Sequence, residues 1–460
     1  MAMGKRKARQ ESLFIATDQL MPSAGHPFYQ KLNALLDEFS FDRWVEQRCV
    51  QYYEQKEKRG QPSIPPGVYF RMLLVGYFED LPSQRGIAWR CGDSLSLRQF
   101  LGISLDARTP DHATLTNTRK RLPAEVFNEV FEFVLTIAEQ KKLISGKTVG
   151  VDSTTLEANA AMKSIVRKDT GEDWKQYVTR LMRAEGVIEP DQEPTDEEVR
   201  RFDKKRKDKK VSNEEWESAT DPDARITKMK DGTTHFAYKA EHVVDLKSDI
   251  VLAAGIFPAD QGDAATMVGS VIEAQSHLED AGSAAKIEEV AADKGYHAAE
   301  TIEVSNALDM KTYIPEPKRP HRSKWTDKSA EQRRAVVNNR RRIGRDKSKK
   351  LQRRRSEVVE RTFAHICDTG GARRSWLRGF VNVAKRYLIA AAAHNLGRIL
   401  RRLTGFGKPK TLQGEDGLAG LAQLLGAWLE NNLARPLAEW GRRIDMWPCF
   451  SGSLTLRLAH

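Results

Sequence analysis

The sequence predicts an α/β protein in which an all-helical N-terminal region leads into a mixed five-stranded sheet flanked by helices. Three observations carry this. Apolar residues recur at helical spacing from Pro27 to about Leu143. The β-branched run Thr148-Val-Gly-Val-Asp-Ser-Thr-Thr155 then reads as a buried strand. After Asp263, strand and helix signals alternate, as a mixed α/β sheet requires.

In chain order, residues 1–25 form a basic leader with no apolar core behind it, so they do not read as a secretion signal. Residues 26–144 form the helical domain. Phe28, Leu32, Leu35 and Leu36 mark one helix, and Phe70, Leu73, Leu74 and Tyr77 a second, started by Pro65-Pro66. Short helices near 83–91 and 95–101 precede a third over 109–121. There Thr109 is the expected N-cap, Pro110 the first helical residue, and Asp111 a complement to the dipole. That helix ends in Arg119, Lys120 and Arg121, a candidate DNA contact from a helix-turn-helix-like unit. An amphipathic helix with Val126, Phe127, Val130, Phe131, Val134 and Ile137 on one side closes the domain.

Residues 145–403 form the second domain. After the opening strand, residues 156–185 read as polar helix, and the charged, turn-rich stretch near 186–234 as a surface insertion without chemistry. His235–Asp245 alternates with period two, Leu246–Asp249 is a turn, and Ile250–Phe257 completes an antiparallel hairpin. Asp263 is the expected N-cap of a helix to about Ala281. Strands at 287–292 and 310–314 follow, with a helix near 298–307 between them. The segment 315–355 is the most basic in the chain, with Arg340, Arg341, Arg342, Arg353, Arg354 and Arg355 as candidate phosphate contacts. It runs into a helix carrying Glu357, Glu360 and Arg361, and a final helix spans 382–403. Residues 404–460 form a partly helical tail.

The formal net charge of the 460 residues is +12, which suits a polyanionic partner. The four cysteines are far apart, which argues against a zinc ribbon or disulfide framework and for a reducing, cytoplasmic setting. No apolar run is long enough to span a membrane. Three carboxylates stand out: Asp152 at the end of the first strand, Asp293 after the 287–292 strand, and Glu360 on a helix. Hard divalent cations prefer such oxygen ligands, and two Mg²⁺ roughly 3.5–4 Å apart activate a nucleophile and neutralise the leaving oxygen of a phosphodiester.

Five blocks tie these features together: Ser63-Ile-Pro-Pro-Gly through Thr109-Pro-Asp-His-Ala-Thr-Leu, Val149-Gly-Val-Asp152-Ser-Thr, Ala259-Asp-Gln-Gly-Asp263, Ala292-Asp293-Lys-Gly-Tyr296 and Val358-Val-Glu360-Arg-Thr-Phe363. In these the sequence resembles the bacterial insertion-sequence transposases of the DDE type, over about Phe28 to Leu403. The resemblance implies an RNase H-like catalytic domain in which Asp152, Asp293 and Glu360 are catalytic and hold two Mg²⁺, with Mn²⁺ as a substitute. It further implies cutting and joining of double-stranded DNA at terminal inverted repeats, a dimer or larger synaptic assembly, and a cytoplasmic, nucleoid-associated location. A nuclease that cuts without joining, and a DNA-binding descendant that has lost its chemistry, are the alternatives. Glu357 competes with Glu360 for the third position. Where the family pattern places a cation after the Glu, position 367 is Cys, which leaves Arg361, Arg373 and Arg374 open.

Overall fold

The computed structural model describes residues 25–53, 63–207, 212–229, 232–318 and 328–412. The basic leader, Trp325, Cys449 and the expected helix over 418–433 lie outside them. Seven helices come first: α1 (Pro27–Glu38), α2 (Phe41–Cys49), α3 (Pro66–Phe78), α4 (Gln84–Asp93), α5 (Leu95–Phe100), α6 (His112–Arg121) and α7 (Ala124–Gln140). Ser83 and Ser94 cap α4 and α5 through their hydroxyls. The cap of α6 differs from expectation. Asp111, not Thr109, accepts the amide of Thr114 at 2.7 Å, so the helix begins two residues after Pro110. A short carboxylate capping its own first turn outcompetes a threonine placed further upstream.

The strand β1 (Thr148–Glu157) follows. Next come β2 (Ile165–Arg167), α8 (Trp174–Ala184), α9 (Asp196–Lys205), β3 (Trp216–Ser218) and β4 (Arg225–Lys228). The hairpin partners are β5 (Thr234–Asp245) and β6 (Val251–Pro258). Then α10 (Asp263–Asp280), β7 (Glu289–Ala291), α11 (Ala299–Ala307), β8 (Lys311–Tyr313), α12 (Ala330–Ile343), α13 (Asp346–Phe363) and α14 (Phe380–Thr404) complete the described chain.

The protein is mixed α/β, and all five expected strands lie in one sheet in the order β6-β5-β1-β7-β8. The pairs β1–β5 and β5–β6 are antiparallel, while β1–β7 and β7–β8 are parallel. A sixth strand, β4, pairs with the start of β5. It comes from the stretch read as a solvated insertion. The intervening residues are also folded: β2 and β3 pair, and α8 and α9 enclose Val178, Met182 and Val199 beside Trp174, Tyr177, Ile188 and Phe202. Capping boxes start both helices, Asp173 with Gln176 and Thr195 with Glu198. Arg167 lies over the rings of Tyr177 and Trp216. The high charge of this segment hid a small apolar stripe on each helix, sufficient to close a satellite core.

The main core is continuous from the N-terminal helices into the sheet. The link is α14, which packs on α7 and β6 and whose buried Asn395 bonds both the amide and the carbonyl of Val251. On the face opposite α10, α13 crosses the sheet directly over β1. A Cβ on Gly150 would meet Leu246 Cδ2 at 2.7 Å, Val359 Cγ2 at 3.0 Å and Arg355 Cγ at 3.1 Å, so only glycine lets the helix come this close. This contact sets the height of every α13 side chain above the strand.

Candidate active site

Asp152 lies in the middle of β1, not at its tip. It is nevertheless accessible, because β7 pairs with β1 only as far as Gly150, opposite Ala291. Two residues further along each parallel strand stand Asp152 and Asp293, level with one another at the same end of the sheet. The carboxylates of Asp152 and Asp293 feel each other: burial raises the Asp152 pKa above the ordinary range, and Asp293 pushes in the same direction while Arg355 opposes it. Asp152 Oδ1 accepts the Ser153 amide at 2.8 Å, and Asp293 Oδ1 accepts the Gly295 amide at 2.7 Å.

A fourth carboxylate belongs to this neighbourhood. Gly262, not Asp263, is the N-cap of α10; Asp263 is the first helical residue and makes no cap. Its Oδ1 instead accepts Ser153 Oγ at 2.8 Å and Lys239 Nζ at 3.2 Å. Its Oδ2 and Asp293 Oδ1 each lie 3.0 Å from where a Cβ on Gly295 would sit, so the two face each other across that glycine. The sequence signal for this was the Ala259-Asp-Gln-Gly-Asp263 block, which spacing alone assigned to helix capping.

Behind these residues lies a buried polar network. Glu241 is fully buried and accepts Ser270 Oγ at 2.5 Å, Thr266 Oγ1 at 2.7 Å and Tyr296 Oη at 2.9 Å. Burial raises its pKa. Tyr296 is thereby anchored in the interior, and it tethers the turn that begins at Asp293. On the α13 side, His242 stands opposite Asp152 in register, stacks on Phe363 at 4.0 Å and contacts Thr362 Oγ1 and Tyr387 Oη. Burial depresses it to about 3, so it is neutral at physiological pH.

Glu357 and Glu360, three residues apart, are neighbours on the exposed face of α13 but take different partners. Glu357 pairs with Arg354 and Arg361, which also reach Asp249 and, for Arg354, the Leu246 carbonyl. These contacts face the β5–β6 turn. Gln352, Ser356 and Glu360 recur every four residues along α13. Gln352 Nε2 donates to the carbonyl of Ala292 at 3.0 Å, the residue just before Asp293. Glu360 is exposed and accepts Ser356 Oγ at 2.6 Å. Among the described residues, no three His, Cys, Asp or Glu side chains stand close enough together to hold a metal ion. Arg355 Nη1 instead bonds Asp152 Oδ2 at 2.5 Å. Asp152 and Asp293 offer carboxylate oxygens of the kind a hard divalent cation prefers, near enough for Asp293 to push the Asp152 pKa upward.

The candidate DNA contacts separate by environment. Lys120, Arg121, Arg341 and Arg353 are exposed, Arg121 lying over the Tyr53 ring. Arg340 is exposed and paired with Glu316. Arg342 bonds the Thr312 carbonyl and hydroxyl, Arg354 and Arg361 converge on Asp249, and Arg355 is buried against Asp152. Arg119 turns inward from α6, with Nε and Nη1 enclosed. A one-dimensional count of cations cannot separate those facing solvent from those that satisfy carbonyls and carboxylates. Of the cations after Glu360, Arg373 comes to the site face of β1, donating to Thr154 Oγ1 at 3.1 Å. Arg374 pairs with Glu157, and Cys367 is buried against Tyr387.

Two family models match the chain. One, a transposase domain (DUF772), covers residues 16–121; the other, a transposase DDE domain, covers residues 197–396. The chain belongs to the insertion-sequence DDE transposases. The DDE match includes Asp263, Asp293 and Glu360, while β1 with Asp152 lies between the two matched regions. No curated protein matches the transposase. No helix among the described residues is long and apolar enough to cross a membrane.

Proposed function

We propose that this DNA transposase binds the inverted repeats at the ends of its own element and cuts and joins DNA at a site formed by Asp152, Asp293 and Glu360. One observation supports this above all. The first two carboxylates stand level at the ends of adjacent parallel strands, and Glu360 is carried by α13, the helix that crosses β1 and whose Gln352 grips the residue before Asp293. The pairing of Glu357 with Arg354 and Arg361 favours Glu360 as the third carboxylate.

Asp152, Asp293 and Glu360 would hold the divalent metal, which when bound supplies nucleophile activation and neutralisation of the leaving oxygen. The chain's own groups prepare the site. Ser153 and Gly295 amides orient the two Asp carboxylates. Arg355 keeps Asp152 charge-balanced in the DNA-free protein and offers a guanidinium to a phosphate oxygen when DNA arrives. Arg373 adds a second cation two residues further along the same face of β1. Lys120, Arg121, Arg341 and Arg353 then serve the duplex backbone, positioning it without reading its bases.

The test uses Asp152→Asn on DNA carrying the element's ends, with Mg²⁺. The variant retains end binding by mobility shift and loses both nicking and strand transfer. Unchanged cleavage would remove Asp152 from the site, and cleavage by the wild type without any joined product would make the protein a nuclease.

A further inference from the structure

Helices α3, α4, α6, α7 and α14 and the segment 370–377 line a partly open cavity of about 180 Å³. Its volume resembles that of cavities that admit one aromatic ring, about 150 Å³. Leu73, Ile87, Phe127 and Ile389 give it an apolar wall, with half-exposed Trp376 at its rim. Two guanidinium groups line it, Arg119 and Arg386, and no carboxylate does.

The two arginines differ. Arg386 donates to the carbonyl of Gly371 at 2.7 Å and approaches that of Arg374 at 3.5 Å. Arg119 Nε and Nη1 are enclosed without a hydrogen-bond partner, and so is the phenol oxygen of the fully buried Tyr69. Burial pulls the Arg119 pKa downward, as it does for Arg386. Two enclosed guanidinium nitrogens without an acceptor, beside a stranded hydroxyl, are costly unless an acceptor comes to them.

We propose that this cavity is a binding site for a small organic anion, a carboxylate on a compact apolar or aromatic body, with Arg119 and Tyr69 holding the carboxylate. The occupant joins α6, which presents Lys120 and Arg121 to solvent, to the segment carrying Trp376. That segment is hydrogen-bonded to the end of β1: Glu157 N donates to Arg373 O, and Ser375 N to Glu157 O, both at 2.9 Å. Occupancy therefore ties the position of α6 to the strand that bears Asp152. The site is independent of the DNA-cutting reading, and its test needs no DNA substrate or metal.

The probe is 4-fluorobenzoate, titrated into the full-length, DNA-free protein and followed by fluorine NMR and thermal shift. Saturable binding is expected, weakened about tenfold or more in Arg119→Met and about threefold in Tyr69→Phe. Tyr69→Phe keeps the ring and decides the matter if Arg119→Met does not fold. Binding that is absent at millimolar probe, matched by equal chloride, or unaltered in Tyr69→Phe overturns the proposal. So does displacement of the probe by a DNA end, which would assign the cavity to nucleic acid.

Discussion

Replacing Glu241 isolates the support behind the Asp293 turn. With leucine at 241, the buried hydroxyls of Ser270 and Tyr296 lose their acceptor, while Thr266 Oγ1 still reaches the Asp263 carbonyl at 3.2 Å. Two stranded buried donors at about 1–3 kcal/mol each predict a loss of about 2–6 kcal/mol, a large share of the stability of an ordinary domain. Glutamine keeps the volume and one acceptor oxygen, so Glu241→Gln loses far less. The pH dependence separates the two further. Burial raises the folded-state pKa of Glu241 above its unfolded value of about 4.3. Its contribution to stability is therefore fully present below the unfolded pKa and is lost as pH rises through the folded one. Glutamine removes that slope, so the deficit of the variant against the wild type narrows as pH rises from acid to neutral. Urea denaturation followed by far-UV circular dichroism from about pH 4 to pH 8 measures both effects. A Gln variant as damaged as the Leu variant, with a pH profile parallel to the wild type, would refute the reasoning.

The two glutamates of α13 part in function: Glu360→Gln lowers metal-dependent nicking by about a hundredfold or more, and Glu357→Gln leaves it within a few fold. Equal losses in a nicked-circle assay would mean that the preference for Glu360 over Glu357 is wrong. Gly150→Ala drives a methyl into Leu246 and Val359 and costs about 1–3 kcal/mol, read as a lower urea midpoint at unchanged slope. An unaltered midpoint would show that α13 can lift off β1 freely. Removing Lys120, Arg341 or Arg353 singly reduces the slope of log affinity for DNA against log salt by about 0.9 each, while Arg342→Gln leaves that slope unchanged. Fluorescence anisotropy over a salt series checks this, and a flat wild-type profile would count against phosphate contact altogether.

Much of the fold was legible from local pattern. Period-two alternation over His235–Asp245 and the turn at Leu246–Asp249 specify the β5–β6 hairpin, because neighbouring side chains on a strand must face opposite ways. The apolar stripe of α7 and the run before Asp152 are equally direct. The sequence also pointed to Asp152, Asp293 and Glu360 through their surrounding blocks. Charge density failed at α8 and α9, where a thin apolar stripe closes a separate core beneath a strongly charged surface.

What tertiary structure alone decided is which polar group answers which. Nothing local in Asp263 distinguishes a helix cap from a carboxylate facing Asp293, since the choice depends on Ser153 and Lys239, far away in the chain. The Arg-rich run likewise divides into Arg353, which meets solvent, Arg354, which meets Asp249, and Arg355, which meets Asp152. Successive residues on a helix point about 100° apart, so three identical side chains enter three environments once α13 is seated on Gly150. The sequence by itself indicated the five central strands, the main N-terminal helices and the candidate carboxylates. The partners of those carboxylates, and the inward turn of Arg119, came from long-range packing, which no periodicity encodes.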